Sequence, residues 1–115
     1  MLYTNLKHIE NEADYNKILK DNENVMLICG RMGPMCIPVY GIAEEIEKEY
    51  PHVKFCDFEF DIPEADVIRR IPEVSGFRGI PFTIYYKKGK VVKATSSIQT
   101  KEQVKAILDK EFAAK

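Results

Sequence analysis

The fold is decided by residues 25–38, which read Val25-Met26-Leu27-Ile28-Cys29-Gly30-Arg31-Met32-Gly33-Pro34-Met35-Cys36-Ile37-Pro38. The first five residues are apolar and predict a buried strand, and the glycines and Pro34 break this run. Pro34 suits the first turn of a helix, where a backbone N–H has no helical partner to lose. The strand, the loop and the helix start bring Cys36 to the positive end of a helix dipole, which favours a thiolate. The alternative interpretation is that Cys36 is a small buried hydrophobe.

Length and composition set the broad class of the protein. The chain of 115 residues predicts a single domain, residues 1–115, with one hydrophobic core. Charged residues make up 30% and the formal net charge is −1, which gives no nucleic-acid footprint. We find neither a signal peptide nor an apolar segment long enough to span a membrane, so we expect a cytoplasmic protein that does not bind membranes.

The cysteine and histidine pattern bears on redox state and metals. Three cysteines, an odd number, favour reduced thiols over a framework of disulfides. The histidines, His8 and His52, lie far from any cysteine pair, so no zinc spacing is present. We therefore predict neither a structural metal nor a cofactor.

The order of elements along the chain is strand, helix, strand, helix, strand, helix, hairpin and closing helix. Asn11 is expected to cap the first helix, and Thr100 with Gln103 forms a capping-box pattern before the last. Gly89 is predicted at the turn of the hairpin. Alternating strands and helices require parallel pairing, and the hairpin adds an antiparallel edge. The sequence therefore predicts an α/β fold whose central mixed sheet is flanked by helices on both faces.

A second informative run is Gly76-Phe77-Arg78-Gly79-Ile80-Pro81, which leads into a strand and a hairpin at residues 82–90. This stretch resembles the thioredoxin family, whose members have here a Gly-hydrophobe-Arg-Gly-Ile-Pro run, a strand and a Lys-x-Gly hairpin. Asp61 matches the family's aspartate before its third helix, and Gly33-Pro34 matches the Gly-Pro of its active-site loop. The resemblance spans essentially the whole chain and implies a thioredoxin-like fold. Because the chain is longer than the family pattern between Asp61 and Pro81, we expect an extended third helix.

The chain departs from the family at the chemistry, so its active-site motif is degenerate. Family members that exchange disulfides have a pair of closely spaced cysteines, whereas here Cys36 matches the second and Gly33 the first. A shift of one residue places Met32 and Met35 at the two cysteine positions, which again gives no pair. The family's buried aspartate is also missing, because no acidic residue occurs in residues 25–43. The resemblance thus implies weak or monothiol activity at most.

Three functions remain open. The first is thiol–disulfide exchange in cell redox homeostasis through Cys36, with Cys29 as the remaining candidate partner thiol and Arg31 favouring the thiolate. Its partner would be a protein or a low-molecular-weight thiol. The second is a catalytically inactive module that binds proteins through a groove at Ile80 and Pro81. The third is soft-metal binding, in which Cu(I) is held by Cys29, Met32, Met35 and Cys36. The oligomeric state is left open.

The predicted substrate contacts lie in the loop before the helix and in the turn before the fourth strand. They are Arg31, Met32, Gly33, Pro34, Met35, Gly79, Ile80 and Pro81. The resemblance implies that the Ile80–Pro81 peptide bond is cis and faces the loop, which would let the backbone of Ile80 pair with an extended peptide.

The third strand carries the last candidate, Asp57. Counted from Asp61, Asp57 falls where the family has a lysine beside its buried aspartate. Asp57 takes over proton handling for Cys36 if it points under the following helix and burial raises its pKa. Alternatively, Asp57 and Glu59 share a solvated face, while Cys56 lies in the core.

Overall fold

The computed structural model describes residues 6–30, 37–60, 62–74, 81–96 and 99–112. In these ranges the strands are β1 (Lys7–Ile9), β2 (Asn24–Gly30), β3 (Lys54–Glu59), β4 (Phe82–Lys87) and β5 (Lys90–Ser96). The helices are α1 (Glu12–Asp21), α2 (Ile37–Ile46), α3 (Asp66–Arg69) and α4 (Lys101–Glu111). Short 3-10 helices span Glu47–Glu49, Pro63–Ala65 and Pro72–Val74. None of the helices in the described ranges has the length and apolar character needed to cross a membrane.

The described strands form one mixed sheet with the order β1-β3-β2-β4-β5. β3 pairs in parallel with β1 and β2, whereas β4 pairs antiparallel with β2 and β5. Parallel neighbours require a crossover, which α1 and α2 supply. The predicted α/β architecture, with a mixed central sheet, is therefore confirmed.

Helices cover both faces of the sheet and divide the buried residues into two layers. One layer, which we call the α2–α4 core, includes Met26 and Ile28 of β2 with Val39, Tyr40, Ala43, Val104 and Leu108 of the helices. The other, the α1–α3 core, includes Val25, Leu27 and Cys29 of β2 with Tyr15, Ile18 and Ile68. Because successive residues of a strand point to opposite faces, β2 contributes to both layers and is buried throughout residues 25–30.

Local sequence signals for helix ends and the hairpin turn are confirmed. The Asn11 side chain accepts a hydrogen bond from the Asp14 amide at 2.8 Å. The Gln103 amide donates to Thr100 Oγ1 at 3.1 Å, and the Thr100 amide donates to Gln103 Oε1 at 2.8 Å. The hairpin turns through Lys88 and Gly89, both with positive φ, which matches the twist of the strands it joins.

The expected extension of the third helix is wrong. α3 is only four residues long and lies between two 3-10 helices that begin at Pro63 and Pro72. A proline cannot donate a backbone hydrogen bond, so Pro72 does not continue a helix that begins at Asp66. The additional residues of this segment form short turns instead.

The glycines Gly41 and Gly89 give a matched pair of stability predictions. A Cβ added at either position meets no atom within 4 Å, so neither alanine substitution creates a clash. Gly41→Ala should stabilise the protein by about 0.5–1 kcal/mol, because alanine favours the helix. Gly89→Ala should destabilise it by about 1 kcal/mol, because φ at Gly89 is +80°. Urea unfolding curves measure both, and changes of the same sign would contradict this account.

Candidate functional site

The described residues cover part of the predicted site. Cys29, Asp57 and Pro81 lie within them, and all three are buried. Outside the described ranges are Arg31, Met32, Gly33, Pro34, Met35, Cys36, Gly79 and Ile80. The predicted cis bond involves Ile80 and therefore also lies outside the described residues.

The helix α2 sets the position of the segment that contains Cys36. It begins at Ile37, the residue directly after Cys36, and has no acidic residue in its first turn. β2 and β3 are parallel, so the chain between them must return along the sheet, and α2 begins at the edge where β2 ends. The positive end of the α2 dipole therefore lies at this edge without an opposing carboxylate in the first turn.

The other two cysteines are sealed in the α1–α3 core. Cys29 and Cys56 are both 0% exposed and are free thiols. Burial, followed by the nearby negative charges, raises the pKa of Cys29 well above the usual value, and burial likewise raises that of Cys56. Cys56 Sγ lies 3.6 Å from the Met26 carbonyl oxygen. Cys56 is thus a core residue, as predicted, and the Cys29 side chain lies on the side of the sheet opposite α2.

Asp57 is buried on the side of the sheet that α2 covers. It alternates along β3 with Cys56 and Phe58 of the α1–α3 core, and only 1% of its side chain is exposed. The alternative that Asp57 shares a solvated face with Glu59 is therefore wrong. Both faces of β3 are covered by helices, so the alternation of polar residues did not reveal which face is wet.

A histidine accompanies this carboxyl group. His8 Nδ1 lies 2.7 Å from Asp57 Oδ1, within hydrogen-bond distance. His8 and Asp57 are also direct partners in the register of β1 and β3. The sequence analysis considered His8 only as a metal ligand and missed this contact, because it depends on which strands pair.

Polar residues occupy one cross-strand row of the sheet near its candidate edge. In the register of the strands, His8, Asp57, Ile28 and Thr83 lie side by side. Thr83 is 2% exposed and lies two residues after Pro81. The fold therefore brings Asp57, Pro81 and the start of α2 to the same end of the sheet. The described residues contain no group of three or more histidine, cysteine, aspartate or glutamate side chains that could hold a metal ion.

Comparison with solved structures identifies the architecture. Thioredoxin f2 of Chlamydomonas reinhardtii superposes with a TM-score of 0.79 at 12% identity, covering 96% of this chain and 99% of its own. Plasmodium falciparum thioredoxin gives 0.76 at 22% identity, covering 92% and 99%. A chain from a study of thiol resolution in yeast mitochondrial 1-Cys peroxiredoxin by glutathione/thioredoxin systems gives 0.75 at 16% identity, covering 95% and 99%.

Sequence comparison alone does not identify these counterparts. No protein-family model and no curated protein sequence matches the chain. The agreement in strand order, helix placement and coverage nevertheless shows that this chain has the thioredoxin fold.

Proposed function

We propose that this protein takes part in thiol–disulfide exchange through a single reactive thiol, Cys36. The observation that carries the proposal is the contrast among the cysteines: Cys29 and Cys56 are sealed in the α1–α3 core, whereas Cys36 directly precedes the first residue of α2. A thiol beside a helix N-terminus is favoured as a thiolate, and the thiolate is the form that attacks a disulfide. Arg31 would add to this effect through its positive charge.

The chemistry of one thiol is a single exchange step. The Cys36 sulfur attacks one sulfur of a partner disulfide, the partner S–S bond breaks, and the second partner sulfur leaves as a thiol. Asp57 is our candidate for the proton, accepting it from Cys36 and returning it to the leaving sulfur. The mixed disulfide then persists until a thiol from solution attacks it, because Cys29 lies on the far side of the sheet from α2.

The partner is proposed to be a protein or a low-molecular-weight thiol. Ile37 is 48% exposed and Pro38 is also exposed, which gives the start of α2 an apolar surface beside Cys36. We propose that residues 31–35, Gly79, Ile80 and Pro81 complete this contact surface. The structural neighbour from the glutathione/thioredoxin study supports glutathione as the small thiol to test first.

A protein-binding module without catalysis is the second candidate, because the same exposed apolar surface at Ile37 would serve it. Copper binding is less favoured, since one of its four sulfur ligands, Cys29, is sealed in the α1–α3 core. The buried free thiols of Cys29 and Cys56 support a reducing compartment such as the cytoplasm.

Thiol labelling tests the assignment of the three cysteines. In native protein, iodoacetamide should modify Cys36 and leave Cys29 and Cys56 protected by at least about 100-fold, because labelling of the core thiols requires unfolding. Because burial raises the pKa of both core thiols, moderately alkaline pH should not remove their protection. Peptide mass spectrometry locates the label, and urea-denatured protein, in which all three cysteines react, is the control. Native labelling of Cys29 as fast as that of Cys36 would contradict the assignment.

Mixed-disulfide formation tests the function itself. Incubation with glutathione disulfide should give one glutathione adduct, on Cys36, that dithiothreitol removes. Cys36→Ser should abolish the adduct, and the matched variant Cys29→Ala should retain it. Insulin reduction by the isolated protein should be very slow, because no second thiol resolves the intermediate. Turnover comparable to that of a dithiol thioredoxin would overturn the monothiol assignment, and a wild-type protein without an adduct would favour the binding module.

A further inference from the structure

The contact between His8 and Asp57 joins a buried carboxyl group to a residue that solvent reaches. The side chain of Asp57 is 1% exposed, whereas that of His8 is 22% exposed. Their reacting atoms, Nδ1 and Oδ1, are 2.7 Å apart. Burying a carboxylate is costly unless a partner compensates its charge, and a protonated imidazole in hydrogen-bond contact supplies that compensation.

The strand pairing holds the two side chains together. Leu6 belongs to the α2–α4 core and Ile9 to the α1–α3 core, so alternation along β1 directs His8 towards the α2–α4 side, as it does Asp57 on β3. β1 lies at the edge of the sheet beside β3 and has no strand on its other side among the described residues. The imidazole is therefore both fixed by the backbone register and reachable by water.

We propose that His8 is a positioning residue for the thiol chemistry: it holds Asp57 and compensates its charge, so that the protonation state of the imidazole controls how readily Cys36 ionises. This rests on the proposed function, in which Asp57 handles the proton of Cys36. A bare Asp57 carboxylate opposes a nearby thiolate, because both are negative. A protonated His8 reduces that opposition, and a neutral His8 leaves it in place.

Other ionisable groups surround this pair. On the same side of the sheet are Glu59 on β3, Tyr40 on α2 and Tyr85 on β4, while α4 contributes the apolar residues Val104 and Leu108. On the opposite side are Lys7, Lys54, Cys29 and Cys56. Burial raises the pKa of both core thiols, so they stay neutral when His8 titrates. His8 is therefore the group whose charge we expect to change near neutral pH.

The test compares rates of Cys36 alkylation in single and double variants of the full chain. His8→Asn keeps a neutral donor near the position of Nδ1 and removes the positive charge, so Cys36 should react about threefold or more slowly at mildly acidic pH. Asp57→Asn removes the opposing charge and should accelerate the reaction. In the Asp57→Asn background, adding His8→Asn should have little further effect, because the two residues act through one contact. His52→Gln, which changes the other histidine, should leave the rate unchanged.

The pH profile separates this role from simple loss of structure. The ratio of wild-type to His8→Asn rates should approach one as the pH rises through the range in which imidazole loses its proton. Unfolding would accelerate alkylation in every variant and expose Cys29 and Cys56, which peptide mapping detects. A His8→Asn rate equal to wild type at all pH values, or an equal effect with and without Asp57, would overturn the inference. Failure of Cys36 to react in wild-type protein would instead overturn the proposed function.

Discussion

The rest of the structure depends on the burial of β2 on both of its faces. Met26 and Ile28 pack into the α2–α4 core, whereas Val25, Leu27 and Cys29 pack into the α1–α3 core. A strand that is apolar on both faces is stable only with a layer on each side, which requires helical crossovers between parallel neighbours. One of these crossovers, α2, begins at the end of the sheet where β2 stops. The burial of a strand thereby determines where the Cys36 segment must lie.

The same double burial explains why Asp57 needs a partner. β3 lies between β1 and β2, and its neighbours Cys56 and Phe58 are 0% exposed. A carboxyl group on such a strand loses its hydration, and the compensating interactions must come from within the fold. An edge strand is the place where a partially solvated imidazole can approach a buried strand. The pairing of β1 with β3 therefore links the electrostatics of the interior to the pH of the solvent.

Local signals were sufficient for much of the fold, and contacts distant in sequence were not. Asn11, Thr100 and Gly89 act within a few residues of themselves, so their roles could be predicted from spacing alone. The length of α3 was predicted from the family pattern and was wrong, because Pro72 interrupts the segment. The partner of Asp57 is 49 residues away at His8, and no local pattern reports which strand lies beside β3. The shared end of the sheet was predictable, whereas the charge compensation within it was not.

The separation of Cys29 from α2 is a property of strand register as well as of sequence. Cys29 is opposite Phe58 on β3 and opposite Phe82 on β4, so pairing on both sides fixes which face it occupies. A slip of one residue would turn Cys29 towards α2, but it would also turn Val25 and Leu27 out of the α1–α3 core and break pairing with two strands. Small fluctuations therefore do not bring Cys29 to the side of Cys36. Monothiol character follows from the packing of β2, and restoring a second thiol requires a residue on the α2 side of the sheet.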